Sequence, residues 1–231
     1  MSAANRWVGL SLLLSVSLLA GCGSNPPVPD WQVQTHQSVG RATAAELSGH
    51  ARVAGLEWAR AEQQAARSAL PDAVARVRLT RCVARRASLD WLPCEGLDGV
   101  LPDASGSAQA YARYLGGTGL PGDVTQLPPA QQAVARALAQ PGAEPLRWDA
   151  ASVADPLSRL VAASVLVRAG RADAGVVAQA VDTASAQGWT RPLLAWLTLQ
   201  RQQAQAAGNT VEAQRLERRL QLLAPSPTQS P

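Results

Sequence analysis

Three cysteines, two histidines and 17 carboxylates are the groups in this 231-residue chain best suited to chemistry. A zinc site or a histidine-based triad would have to use His36 or His50, and neither has a partner at H-x-x-x-H or H-E-x-x-H spacing. Both read as surface residues. All 21 Lys and Arg residues are arginine, which excludes a P-loop lysine, a Schiff base and an S-x-x-K nucleophile. G-x-S-x-G is also missing. Carboxylate chemistry is a separate matter, because Asp and Glu pairs that cleave glycosidic bonds meet only in the fold. Glu57, Glu62, Asp90 and Glu95 are the candidates for such a pair, against the plainer role of helix-surface charges and turn formers.

Cys82 and Cys94 have neither C-x-x-C spacing nor a nearby histidine, so redox and metal roles lack their usual pattern. Leaving Cys22 aside, the even remainder points to a disulfide, and Pro93 and Gly96 supply a turn for it. Closing that loop stabilises by about 3 kcal/mol in the chain-entropy model. Arg78, Arg81 and Arg85 stand at i, i+3 and i+7 of one helix, with Arg76 and Arg86 beside them. This ridge either contacts an anionic partner (lipid headgroup, lipopolysaccharide, peptidoglycan or an acidic protein face) or is a solvated face paired with Glu57, Glu62 or other carboxylates.

The elements that must position these groups are helical. Leu47, Ala51, Ala54, Trp58, Ala61 and Ala65 alternate at spacings of three and four, the stripe of an amphipathic helix over 43–68, with Thr43 and Glu46 as a capping box. Pro71-Asp72 starts a second helix that runs to about 88 and carries the arginine ridge. Residues 92–129 are dense in Gly, Pro, Asp and Ser, broken by a short helix at 107–115 in which Tyr111 and Tyr114 share a face. A loop region of that length is functional or poorly ordered as a rule. A further helix runs from Pro129 to Pro141-Gly142, with Val134, Ala137 and Leu138 on one side.

The last third is patterned most clearly. Asp155-Pro156 caps and opens a helix that Gly170 stops; others fit 173–187, 190 to the stop at Gly208, and 210–224, ahead of a polar, Pro-rich tail at 225–231. The Pro156-Leu157 and Pro192-Leu193 starts lie 36 residues apart, and each leads through glycine into another helix. Residues 151–224 therefore resemble tetratricopeptide-type helical hairpins, degenerate in their signature positions and only two units long. A generic helical bundle stays open as the alternative. The fold class expected is all-α, either a helical-hairpin array or an irregular bundle.

At the other end, Arg6 gives a positive start, Trp7 to Leu18 an apolar run and small residues lead into Cys22, the pattern of a secretory signal too short to span a membrane comfortably. Leu19-Ala20-Gly21-Cys22 resembles the lipobox of bacterial lipoproteins. The resemblance implies cleavage before Cys22 and acylation of that cysteine. Gly23 and Ser24, in place of an aspartate, imply the outer membrane, with the domain in the periplasm, where disulfides persist. Residues 22–42, rich in Pro, Gln, Ser and Gly, read as a flexible tether that lets the domain stand off the membrane.

Cleavage would remove only one charge, Arg6, and leave a net charge of about +3 from the +4 of the whole chain. This is too weak a bias, with no aromatic-interleaved basic motif, to indicate nucleic acid as a partner. No cofactor or metal is expected. The resulting expectation is a non-enzymatic envelope lipoprotein, held to the membrane by its N-terminal lipid, that binds a partner protein in an envelope assembly. A peptidoglycan-acting enzyme, or a regulator of one, is the alternative.

Overall fold

Alanine, leucine and valine at three- and four-residue spacing dictate helices, and most of the described residues are helical. A computed structural model describes residues 27–223 except 143 and 147, so Cys22, the signal and the tail at 225–231 lie outside the described residues. Among the described residues nine α-helices follow in order: α1 Asp30–Leu47, α2 Ala51–Ala66, α3 Pro71–Arg86, α4 Gly106–Gly116, α5 Pro129–Ala139, α6 Pro156–Arg168, α7 Ala174–Ala186, α8 Thr190–Ala206 and α9 Thr210–Leu223. Short 3-10 turns link them at 97–99, 101–103, 121–126 and 150–152. No strand occurs among the described residues; one isolated parallel bridge joins Leu146 and Ala172. The protein is all-α.

Six of the helices stop by one device. At six ends a residue with positive φ lets the next N–H reach back to the carbonyl five positions earlier, at 2.8–3.2 Å: His50 to Ala45, Asp90 to Arg85, Thr118 to Arg113, Arg171 to Leu166, Trp189 to Ala184 and Asn209 to Ala204. This is the Schellman arrangement, which satisfies otherwise orphaned helix-end carbonyls. Five of the six pivots are glycine; the sixth is Leu89, at φ +57, where a side chain is held in a region that costs about 1–2 kcal/mol. Some starts are capped by side chains, with Asp155 accepting from Ser158 N at 2.8 Å and Asp173 from Val176 N at 2.8 Å, each worth about 1 kcal/mol.

Helices α6 to α9 pack consecutively through turns of three to five residues, as hairpins do. Their core side chains Leu160, Val161, Leu166, Trp196, Leu197 and Leu216 are almost wholly buried. Helix α3 lies at the centre: it packs on α2, α4 and α6. On its α2 side a second, smaller core joins Ala42, Ala54, Trp58, Ala61 and Ala65 to Val74 and Val77, and the small alanines let the helices approach Trp58 closely.

Two expectations are corrected and one is narrowed. The span expected to be a tether is helical from Asp30 onward, because α1 begins there. The helix expected over 43–68 is two helices. Gly49, at φ +81, turns the chain between them, and Thr43 lies inside α1 rather than at a cap. Of the two readings of 92–129, the poorly ordered one is set aside, because Leu97, Ala104, Val124 and Leu127 are buried along it.

Candidate functional site

The chemistry-bearing residues gather where the end of α3 meets the start of α8. The Leu89 pivot turns the chain so that Asp90 faces back over α3. Arg85 grips it with two parallel bonds, Nε to Oδ2 at 3.0 Å and Nη2 to Oδ1 at 3.1 Å. Arg191, at the start of α8, donates to the same Oδ2 at 3.1 Å. Arg191 also pairs with Glu46 of α1, whose other oxygen accepts from Trp58 Nε1 at 3.3 Å. One chain of contacts thus links α1, α2, α3 and α8. Burial pushes the Asp90 carboxyl up, but the Arg85 bonds, the Leu92 N–H and the charges of Arg85 and Arg86 outweigh it and hold it below its ordinary value.

Arg86 is the unusual member. It is 3% exposed and has no carboxylate partner among the described residues. Its Nε donates to the carbonyl of Leu115, at the end of α4, at 2.8 Å; Nη1 donates to Leu92 O at 3.1 Å and also to Asp90 O. Nη2 points to Cys94 Sγ at 3.4 Å. Its Cζ lies 4.7 Å from the Trp91 ring, and Arg168 lies 5.4 Å from the same ring. The cation is therefore stabilised by backbone carbonyls, one of them at the end of α4, and by a π face. Burial, followed by the nearby positive charge of Arg85, pulls its pKa down.

Cys82 and Cys94 form the disulfide, with Cα atoms 5.5 Å apart, so the bond closes the segment that carries Asp90 and Trp91. The expected ridge of Arg78, Arg81 and Arg85 does not form one free face. Arg78 binds Glu62 and the Gly96 carbonyl, Arg81 pairs with Glu95 at 3.1 Å, and Arg85 is 8% exposed and turned to Asp90. The four carboxylates offered for hydrolysis are each engaged by arginine: Glu57 by Arg41 and Arg60 at 2.9 Å, Glu62 by Arg78, Asp90 by Arg85 and Arg191, and Glu95 by Arg81. The Arg41 hydrogen bond leads the effects that lower the Glu57 pKa. A general acid needs the opposite shift. His36 and His50 are exposed.

Among the clefts that lie outside this network are two formed between helices. The first, about 530 Å³, runs between the end of α4, α5 and the end of α6. Gly117, Thr118, Gly119 and Leu120 line one wall and belong to Gly117-Thr118-Gly119-Leu120-Pro121-Gly122, a G-x-G-x-x-G spacing that sequence reasoning missed. A helix precedes this stretch rather than a strand, which is the wrong context for a dinucleotide fingerprint. The N–H groups of Gly117, Thr118 and Leu120 are already bonded to Tyr114 O, Arg113 O and Asp123 Oδ2, so the loop is not a phosphate cradle. Beside it Tyr114 is 3% exposed and donates to Gln131 Oε1 at 2.9 Å; burial raises its pKa. The second cleft, about 540 Å³ and more open, lies between the first half of α1 and the first half of α3.

Compared with known protein families, curated proteins and solved structures, the chain matches none.

Proposed function

We propose that the protein is a lipid-anchored component of the bacterial cell envelope that acts without catalysis, as an accessory subunit holding a partner protein. The lipobox-like Leu19-Ala20-Gly21-Cys22 supports the anchor and, with Gly23 and Ser24, an outer-membrane address. The engagement of Glu57, Glu62, Asp90 and Glu95 by arginines supports a structural role for those carboxylates.

The observation that carries the partner reading is the outer face of α9. Val211, Arg215, Arg218 and Leu222 stand at i, i+4, i+7 and i+11, one stripe of a helix. All four are exposed, Val211 at 77% and Leu222 at 85%. Helix α9 packs chiefly on α8, and among the described residues nothing covers this stripe. Two apolar ends with arginines between them, of which Arg215 also holds Glu212 at 2.7 Å, suit a helix that carries matching apolar residues and a carboxylate for Arg218. The face that α8 turns inward is unsuited to a partner, because Trp196 and Arg191 are already bonded to the end of α3 and to Asp90.

The test is in-cell photo-crosslinking from position 222 in the full-length protein. A single protein adduct that disappears with Val211→Glu supports the reading. Adducts to glycan strands, or an adduct indifferent to Val211→Glu, overturn it in favour of action on peptidoglycan or of no dedicated partner. Cys22→Ser should move the protein out of the membrane fraction, and membrane retention of that variant would refute the anchor.

A further inference from the structure

The start of α1 at Asp30 changes how far the folded body can stand from an anchored Cys22. A tether reaching residue 42 would extend to roughly 70 Å, whereas the eight peptide steps from Cys22 to Asp30 span at most about 28 Å in any conformation. With Cys22 anchored, the start of α1 can therefore lie no more than about 28 Å from the lipid. The first half of α1 forms one wall of the open cleft, in which Trp31, Thr35 and Val39 of α1 face Leu70, Ala73 and Val77 around the start of α3. Leu70 is 54% exposed, so apolar surface lies open at the cleft's mouth. Arg76 stands on the rim with 74% of its side chain exposed, paired with Asp72 at 2.7 Å; His36 is the other titratable group there.

From these observations, and resting on the lipid-anchor reading above, we infer that the α1–α3 cleft is the protein's membrane-facing surface. Its occupant is the headgroup and upper acyl region of the bilayer that holds Cys22. The chemistry fits each part. A tryptophan at a helix start is amphipathic and prefers the interface. Leu70 and Val39 offer apolar surface to the acyl region, and Arg76 reaches lipid phosphate while its stem lies along the apolar rim. Together with the α9 stripe, this gives the body one surface for lipid and another for a partner protein.

The experiment uses the lipidated full-length protein in vesicles of phosphatidylethanolamine and phosphatidylglycerol, with p-benzoylphenylalanine replacing either Leu70 or Leu222. Both positions are exposed, so neither replacement disturbs the core, and unchanged helical circular dichroism verifies this. The expected result is a mass shift of one phospholipid from position 70 and none from position 222. Equal lipid labelling at the two positions, or none at 70 in protein that floats with the vesicles, overturns the inference while leaving the anchor standing. Failure of the unmodified protein to float refutes the anchor itself, and the inference falls with it.

Discussion

The indole N–H of Trp196 donates to the carbonyl oxygen of Ala87 at 2.9 Å, joining the middle of α8 to the end of α3 across 109 positions of sequence. Trp196 is fully buried. It therefore acts both as core volume and as the cap of a helix-end carbonyl, and the two roles separate by mutation. Trp196→Phe keeps most of the volume and leaves Ala87 O unpaired, a loss of about 1–3 kcal/mol. Trp196→Ala also opens a cavity and should cost about 3–5 kcal/mol. Urea unfolding of both variants measures the order; equal losses would show that the hydrogen bond contributes nothing separable.

Arg86 should tolerate no substitution, lysine included. Its guanidinium serves the carbonyls of Leu115, Asp90 and Leu92 in three directions at once, and an ammonium on a flexible stem cannot reproduce that fork. Arg86→Lys should lose about 2 kcal/mol or more through unpaired buried carbonyls. The comparison is Arg76→Lys on the same helix, an exposed pair with Asp72, for which a change below about 1 kcal/mol is expected. Denaturant midpoints that shift equally would contradict the buried-cation account.

Much of this architecture was legible because it is local. Pro71-Asp72, Asp155-Pro156 and the glycines at 170, 188 and 208 state helix starts and stops within a few residues, and the structure places α3 and α6 to α9 at those marks. Helix α1 was not legible before residue 43. Its first turns carry Gln, His and Ser with little apolar stripe, and burial begins only at Ser38. Gly49 breaks a stripe whose three-and-four spacing continues across the break, so periodicity alone read one helix for two. Leu89 in a glycine's conformation leaves no signature at all. The arginine ridge was correct in its spacing, but Asp90 draws Arg85 inward only because Leu89 turns the chain. The contacts of Arg191 with Glu46 and Asp90 join segments that no local pattern relates.

Removing the disulfide should loosen the segment that holds Asp90 and Trp91. The bond joins cysteines 12 positions apart, and the chain-entropy model gives a loss of about 3 kcal/mol for a loop of that size. The double variant Cys82→Ala, Cys94→Ala should unfold at correspondingly lower urea. In protein made with an oxidising periplasm, two thiols that alkylate freely without reductant would show that the bond does not form.

Asp123 should make stability acid-sensitive in a defined window. Its carboxylate accepts from Arg113 Nε at 2.8 Å and Nη2 at 2.5 Å, and from Leu120 N at 3.0 Å. The Arg113 hydrogen bond leads the effects that take its pKa from the ordinary 3.8 down to about 2. A group whose folded pKa is depressed binds fewer protons folded than unfolded, so its contribution is fully present above the unfolded value and is lost as pH falls through the folded one. The thermal midpoint of Asp123→Asn should therefore lie below that of the native protein by a constant margin at neutral and mildly acidic pH. The margin should shrink between roughly pH 4 and pH 2 and close below that. Asp72 and Asp90, also lowered by their partners, weaken both proteins over the same range, so the difference between the two curves is the quantity to read. Circular dichroism melts from pH 7 to below pH 2 supply it. A margin that persists undiminished in acid would mean that Asp123 acts through shape and hydrogen bonding rather than charge.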